Sequence, residues 1–354
     1  IATQIPLAGR LALLGSFLAL ALALVAPSLA EALSHDEVAP DPTYGTAGSF
    51  TWVHPGSDRV SAIKVLADGS AVFAGSAMNG AAAQAVVCRV NALGALDTGF
   101  GSAGCAAPVG GTGESSAAAL DIDHLGRVLV AGTANESGPT EGFVVRLLAS
   151  GQPDFSYDAG GRRDFDGPGS IFSPVDVDAL PGGSVLVTGS SYSVPTLGDF
   201  RVWKTLPTGE DDTAFGAPDG YVITDIEGED DAEVLVLDGT SGCYAAGSSR
   251  TTVLDKPRVA VARYDSAGEP DLGFGTDGST IWRPANFSEA AGVAALVQAN
   301  GRLVLAGQAR INGGSMFSAI LRYLPNGSLD PTFGASGVAL PAPSHNGVED
   351  LLAA

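Results

Sequence analysis

The chain has 354 residues, with 18 Lys and Arg against 39 Asp and Glu, for a formal charge of −21. An apolar fraction of 45% with 16% charged residues is a globular balance, and 48 glycines without a Gly-X-Y period exclude a collagen-like chain. The acidic excess argues against a nucleic-acid partner, because gripping a phosphate backbone needs clustered cations and lysine occurs only as Lys64, Lys204 and Lys256.

In chain order, Arg10 is followed by an apolar stretch from Leu11 to Ala26 and then by Pro27-Ser28-Leu29-Ala30-Glu31-Ala32. A positive residue, a short apolar run and small residues at a cleavage point are the order of a secretory signal. Residues 1–30 are therefore expected to be a signal peptide, residues 31–40 a short tail, and residues 41–354 the working domain. The product is expected in the periplasm, at the cell surface or outside the cell, with no membrane span once the signal is removed. The chain opens on Ile rather than Met and is expected to be a fragment. Three cysteines cannot all pair within one chain; Cys88 and Cys105, 17 positions apart, suit either a bridge or two small core hydrophobes, the second being the favoured reading.

After residue 40 one pattern repeats. Asp-x-x-aromatic-Gly occurs at Asp41/Tyr44/Gly45, Asp97/Phe100/Gly101, Asp212/Phe215/Gly216, Asp271/Phe274/Gly275 and Asp330/Phe333/Gly334, with a degenerate copy at Asp154/Tyr157. The intervals between successive aspartates are 56, 57, 58, 59 and 59 residues. An Ala-Gly or Thr-Gly pair ends at Gly75, Gly132, Gly189, Gly247 and Gly307. A basic residue stands eight positions before each signature aspartate from Asp97 onward, at Arg89, Arg146, Lys204, Arg263 and Arg322.

Inside each unit three short apolar or β-branched runs and a weaker fourth are separated by turn dipeptides such as Asp68-Gly69, Asp238-Gly239 and Asn300-Gly301, which favour two-residue hairpins. Repeats starting near 41, 97, 154, 212, 271 and 330 then predict an all-β fold: a β-propeller of four-stranded antiparallel blades, with five full repeats plus ends and an incomplete ring. The run ending in the Asp-Gly turn is expected innermost and the stretch after Phe-Gly outermost. Residues 49–54 become an orphan outer strand that in a closed ring would pair with the last blade, and Gly347 to Ala354 the first strand of a sixth unit.

The phrases Gly327-Ser328-Leu329-Asp330-Pro331-Thr332-Phe333-Gly334, Ala260 to Gly268 and Asn300 to Gly307 resemble the delta-60 repeat proteins, in register from about Asp41 onward. The resemblance implies a secreted or surface-displayed bacterial propeller of undefined role and carries no catalytic residues.

The signature residues are expected to be structural. The aspartate should accept backbone N–H bonds in a turn, the ring should fill the space between blades, and the glycine should supply a left-handed φ. The Arg-to-Asp spacing of eight predicts an ion pair within each unit. His35, His54, His124 and His345 fall at unrelated repeat positions, without ligand spacing.

Acidic clusters are the remaining lead: Asp121-x-Asp123, Asp176-x-Asp178, and six carboxylates between Asp225 and Glu233. Calcium is the cation such oxygens would suit, though no cofactor is required and a solvated acidic face is the default expectation. Function is expected to be binding or display toward a protein or glycan at the envelope, by a chain that is monomeric when complete. The alternative is a propeller enzyme, a hydrolase, lyase or quinoprotein-type oxidoreductase, with its site at the channel mouth.

Overall fold

The runs predicted as strands pair exactly where the turn dipeptides fold them back, and the computed structural model describes residues 40–340. Positions 53, 55, 111–112, 136–139, 159, 166–169, 194–197, 240–241, 253, 285–286, 312–313 and 315 are excepted. The expected signal peptide, His35, His345 and the sixth-unit strand lie outside the described residues. No helix among the described residues is long and apolar enough to cross a membrane.

Five four-stranded antiparallel sheets follow in sequence. The first holds β1 (Asp58–Val65), β2 (Ala71–Asn79), β3 (Ala82–Val90) and β4 (Cys105–Ala106). The second holds β5 (Glu114–Ile122), β6 (Val128–Asn135), β7 (Glu141–Leu147) and β8 (Arg162–Phe165). The third holds β9 (Ser170–Ala179), β10 (Val185–Ser193), β11 (Gly198–Thr205) and β12 (Tyr221–Thr224). The fourth holds β13 (Glu229–Leu237), β14 (Cys243–Arg250), β15 (Arg258–Tyr264) and β16 (Ser279–Trp282). The fifth holds β17 (Phe287–Val297), β18 (Leu303–Ile311), β19 (Met316–Tyr323) and β20 (Val338–Ala339). First strands of successive blades pack on one another, β1 on β5, β5 on β9, β9 on β13 and β13 on β17, so they line the inside of the array as expected. The fourth strands lie at the outer edge, and the ring is not closed.

Apolar layers fill the gaps between blades. Between the first and second, Val72, Val87 and Phe100 meet Leu120, Val130 and Val145; between the third and fourth, Leu186, Val202 and Phe215 meet Leu235, Ala245 and Tyr264. Both faces of an internal blade are covered, which is why its middle strands read as continuous apolar runs instead of alternating.

The recurring Ala-Gly pair has a steric cause. Each inner strand carries one extra residue opposite it, at the register breaks Val60/Ala62, Ala117/Ala119, Ala232/Val234, Gly292/Ala294 and, across from Thr188/Gly189, in β9. These are β-bulges. Each pushes an inner-strand carbonyl oxygen to within 1.9 to 2.1 Å of where a Cβ on Gly75, Gly132, Gly189, Gly247 or Gly307 would sit, so only glycine fits.

One expectation is corrected. Cys88 and Cys105 form a disulfide. They stand directly opposite in the β3–β4 ladder, because the Asp97 turn returns the chain with that register. Buried Cys243 remains a free thiol, and its desolvation pushes the pKa far up, so it stays protonated. The ring is not closed, so the pairing expected of the orphan segment in a closed ring is not seen. Instead Phe50 and Trp52 pack over Phe73 on the open face of the first blade, with ring centroids 6.1 and 6.2 Å away.

Candidate functional site

The repeat signature is used for scaffolding in every unit. Oδ1 of Asp41, Asp97, Asp154, Asp212, Asp271 and Asp330 accepts the backbone N–H two residues on. The aspartate's carbonyl accepts the N–H of the aromatic residue that follows three positions later. Phe100, Tyr157, Phe215 and Phe274 are buried in the layers between their own blade and the next.

The signature glycine takes a left-handed φ of 50 to 59°, and Asp158 adopts φ 43° in its place in the degenerate copy. From that geometry its N–H reaches the neighbouring blade: Gly45 to Leu93 O, Gly101 to Ser150 O, Asp158 to Thr208 O, Gly216 to Ala267 O and Gly275 to Asn326 O.

The ion pair at a spacing of eight is present five times: Arg89–Asp97 3.4 Å, Arg146–Asp154 2.7 Å, Lys204–Asp212 2.9 Å, Arg263–Asp271 2.9 Å and Arg322–Asp330 2.9 Å. The inner hairpin turn adds a third charge in four of them. Asp68 and Asp238 each meet the arginine of their unit, whereas Arg127 and Arg302 each meet the signature aspartate. Hydrogen bonds from Thr332, aided by Arg322, hold the Asp330 carboxyl down at about 2.

Asymmetry appears on the inner strands of three consecutive blades. Lys64 Nζ in β1 lies 2.6 Å from Asp121 Oδ1 in β5, and Asp121 Oδ2 accepts the Ala179 N–H of β9 at 2.9 Å. Asp176 Oδ2, in β9, accepts the Leu235 N–H of β13 at 2.8 Å. Lys64, Asp121 and Asp178 occupy one repeat position, since they face Val72, Leu129 and Leu186; the equivalents Val236 and Leu296 are apolar.

Burial, reinforced by Asp176 and Asp121, raises the Asp178 carboxyl to about 7. Burial likewise raises Asp176, against the amide bonds that favour its charge. Burial alone would lower the Lys64 ammonium, but the Asp121 contact outweighs it and the net shift is upward. One amine and three carboxyls from three blades thus converge inside the array, two of the carboxyls able to exchange protons near neutral pH.

Of the residues singled out in the sequence, Asp121, Asp176 and Asp178 meet here, and Asp123 does not. Its Oδ1 accepts the Leu125 and Arg127 N–H groups and its Oδ2 takes the Arg127 guanidinium, which makes it a turn residue. Lys64 escaped notice because its partner lies 57 residues away on the next blade. The Asp225–Glu233 run is divided among several neighbours: Glu227 pairs with Arg283, Glu229 with Arg250, and Asp231 accepts the Tyr192 hydroxyl. Asp225 and Asp230 are instead joined by Asp199, and an oxygen of each lies within 4.8 Å of the others. His124 is exposed, and His54 stacks on Trp52 at 5.3 Å.

Radially packed four-stranded sheets with these interlocks define a propeller-type repeat protein. The model of a domain of unknown function described as a beta-propeller matches residues 126–157 and 298–333, which are the β6–β7 and β18–β19 parts of two units. No curated protein matches the chain in sequence. Among solved structures, a protein of unknown function from Dyadobacter fermentans is 11% identical with a TM-score of 0.45, over 75% of this chain and 76% of that one. Drosophila Semaphorin 2a is 9% identical with a TM-score of 0.40, over 76% of this chain and 56% of its own. A polysaccharide lyase, an ulvan lyase, is 12% identical with a TM-score of 0.35, over 77% and 71%.

Proposed function

We propose that the chain is an exported, non-catalytic propeller of the delta-60 type, a binding or display scaffold for a protein or glycan partner at the cell envelope. The supporting observation is the division of labour among its side chains. Side chains that recur in every unit hold the blades together, while the departures from symmetry gather at Lys64, Asp121, Asp176 and Asp178. With three carboxyls against one amine, that surface suits a cationic or hydroxyl-rich group on the partner.

A second reading is an acid–base enzyme acting on the same kind of ligand. What favours it is Asp178, raised to about 7, the range in which a carboxyl serves as a proton donor near neutral pH.

One experiment separates the two. The full chain is incubated with purified basic proteins and with uronate-containing and neutral polysaccharides, binding is followed by calorimetry, and the recovered ligand is weighed by mass spectrometry. The scaffold reading expects saturable binding to one class, weakened at least fivefold in Asp178→Asn, with the ligand recovered intact. Shortened or modified ligand, formed by the wild type and not by Asp178→Asn, would establish the enzyme instead, and no binding to any class overturns both.

A further inference from the structure

The blade-three to blade-four junction brings together acidic groups that meet no basic side chain among the described residues. Asp199 lies at the start of β11, Asp225 directly follows β12, and Asp230 lies near the start of β13. In the β11–β12 ladder Phe200 faces Thr224, so Asp199 and Asp225 are the next residues out on the same pair of strands. The first turn of β13 then comes alongside, and a Cβ placed on Gly198 would come within 3.1 Å of the Asp230 carbonyl. One oxygen from each carboxylate falls within 4.8 Å of the other two.

That spacing has a simple geometric meaning. Two oxygens bound to one calcium ion at about 2.4 Å are at most about 4.8 Å apart, and three evenly spread ones about 4.2 Å, so the three carboxylates stand within a small side-chain adjustment of one coordination sphere.

A second observation points to a missing occupant. The Asp230 side chain is fully buried; its Oδ2 accepts the Ile226 N–H at 2.6 Å, but its Oδ1 is buried without a hydrogen-bond partner. The Ser249 hydroxyl, opposite Asp230 in the β13–β14 ladder, is also buried and comes near enough to favour the Asp230 charge without completing a hydrogen bond. A buried carboxylate oxygen left without a donor is costly, and the ordinary remedies are a proton or a cation. Burial and the neighbouring carboxylates raise both Asp199 and Asp230, in Asp230 against the opposing influence of Ser249 and the Ile226 amide, and no basic group contributes to either shift.

We propose that Asp199, Asp225 and Asp230 form a binding site for a hard divalent cation, with calcium the best fit, that clamps the third blade to the fourth. An all-carboxylate donor set disfavours soft, thiolate- or imidazole-seeking metals. The clamp is independent of what the scaffold carries, because it lies at a blade junction and shares no residue with the Lys64–Asp178 set.

The test uses the full chain, stripped with a chelator and titrated with calcium, magnesium and manganese by calorimetry and thermal unfolding. The expected result is one calcium per chain, with a dissociation constant on the order of 10⁻⁴ to 10⁻³ M, as in extracellular calcium modules. Saturating calcium should raise Tm by several degrees.

Asp225→Asn, an exposed substitution that leaves the fold intact, should weaken binding at least tenfold. Asp230→Asn should raise Tm in chelator while abolishing the calcium response, a crossed pattern that a purely structural aspartate would not produce. Asp178→Asn should bind calcium as the wild type does. Absence of any cation effect in the wild type, or an undiminished effect in Asp225→Asn and Asp230→Asn, overturns the proposal. A preference for magnesium over calcium overturns the choice of ion.

Discussion

Among individual residues, the five recurring ion pairs look alike in sequence and differ in physical consequence. Arg146 is 1% exposed; besides Asp154 it donates to Pro207 O of the next blade and stacks over Tyr157 at 4.4 Å. Removing it leaves buried Asp154 with only the longer, 3.3 Å contact to Arg127 and strips Pro207 O and Tyr157 of their cation, and Arg146→Ala should cost about 3 kcal/mol in chemical denaturation. Arg89 is half-buried, but its partners Asp68 and Asp97 are much more exposed than Asp154, and Arg89→Ala should cost about 1 kcal/mol or less. Equal losses would show that burial does not set the difference.

Asp178 acts in the opposite sense. Its folded pKa of about 7 lies above the ordinary carboxylate value, so ionisation costs stability, and the cost grows as pH rises between those two values. Asp178→Asn should therefore stabilise the chain by about 1 to 2 kcal/mol at pH 8 and by almost nothing near pH 4. Unfolding curves at the two pH values check the sign. The spacing of eight made the ion pairs legible in the sequence, since both partners lie on one hairpin. Lys64–Asp121 and Asp199–Asp225–Asp230 were not legible, because their partners meet only after blades stack.

For a whole blade, the decisive feature is the bulge in the inner strand. Four strands, their turns and their order were readable from the period and from dipeptides such as Asp68-Gly69, because hairpin chemistry is local. The bulges were not readable, although their trace, the Ala-Gly landmark, stood in every unit. Nothing in Ser116-Ala117-Ala118 announces an extra residue; only the Gly132 opposite betrays it. Gly132→Ala places a Cβ 2.0 Å from Ser116 O, and the strand pair must shift to accept it. A loss of about 3 kcal/mol or more is expected in the urea midpoint, against a near-neutral Gly110→Ala, where a Cβ meets nothing within 4 Å. The Cys88–Cys105 bridge escaped for a related reason: two small apolar residues 17 apart suit a core as well as they suit a ladder, until register puts them face to face.

Across the whole molecule, stability is a chain of junctions more than a single core. Each junction combines an apolar layer, a buried signature ring and a backbone bond from the signature turn to the next blade. Phe215→Ala should cost about 3 to 5 kcal/mol. Because the main strand contacts among the described residues run between neighbouring blades, the loss should be felt at the third and fourth blades, with faster amide exchange in β10, β11, β14 and β15 and unchanged protection in β2 and β6. Uniform acceleration in all five blades would mean that the array unfolds as one body.

The acceptor for each signature turn lies about fifty residues further along the chain, as Gly101 reaching Ser150 shows. A growing polypeptide therefore cannot finish one blade until most of its successor has been made. The newest blade is always held open by one unfilled amide and one uncovered ring, and maturation trails synthesis by a full repeat. Any interruption leaves a sticky leading edge, shaped to accept the unit still to come.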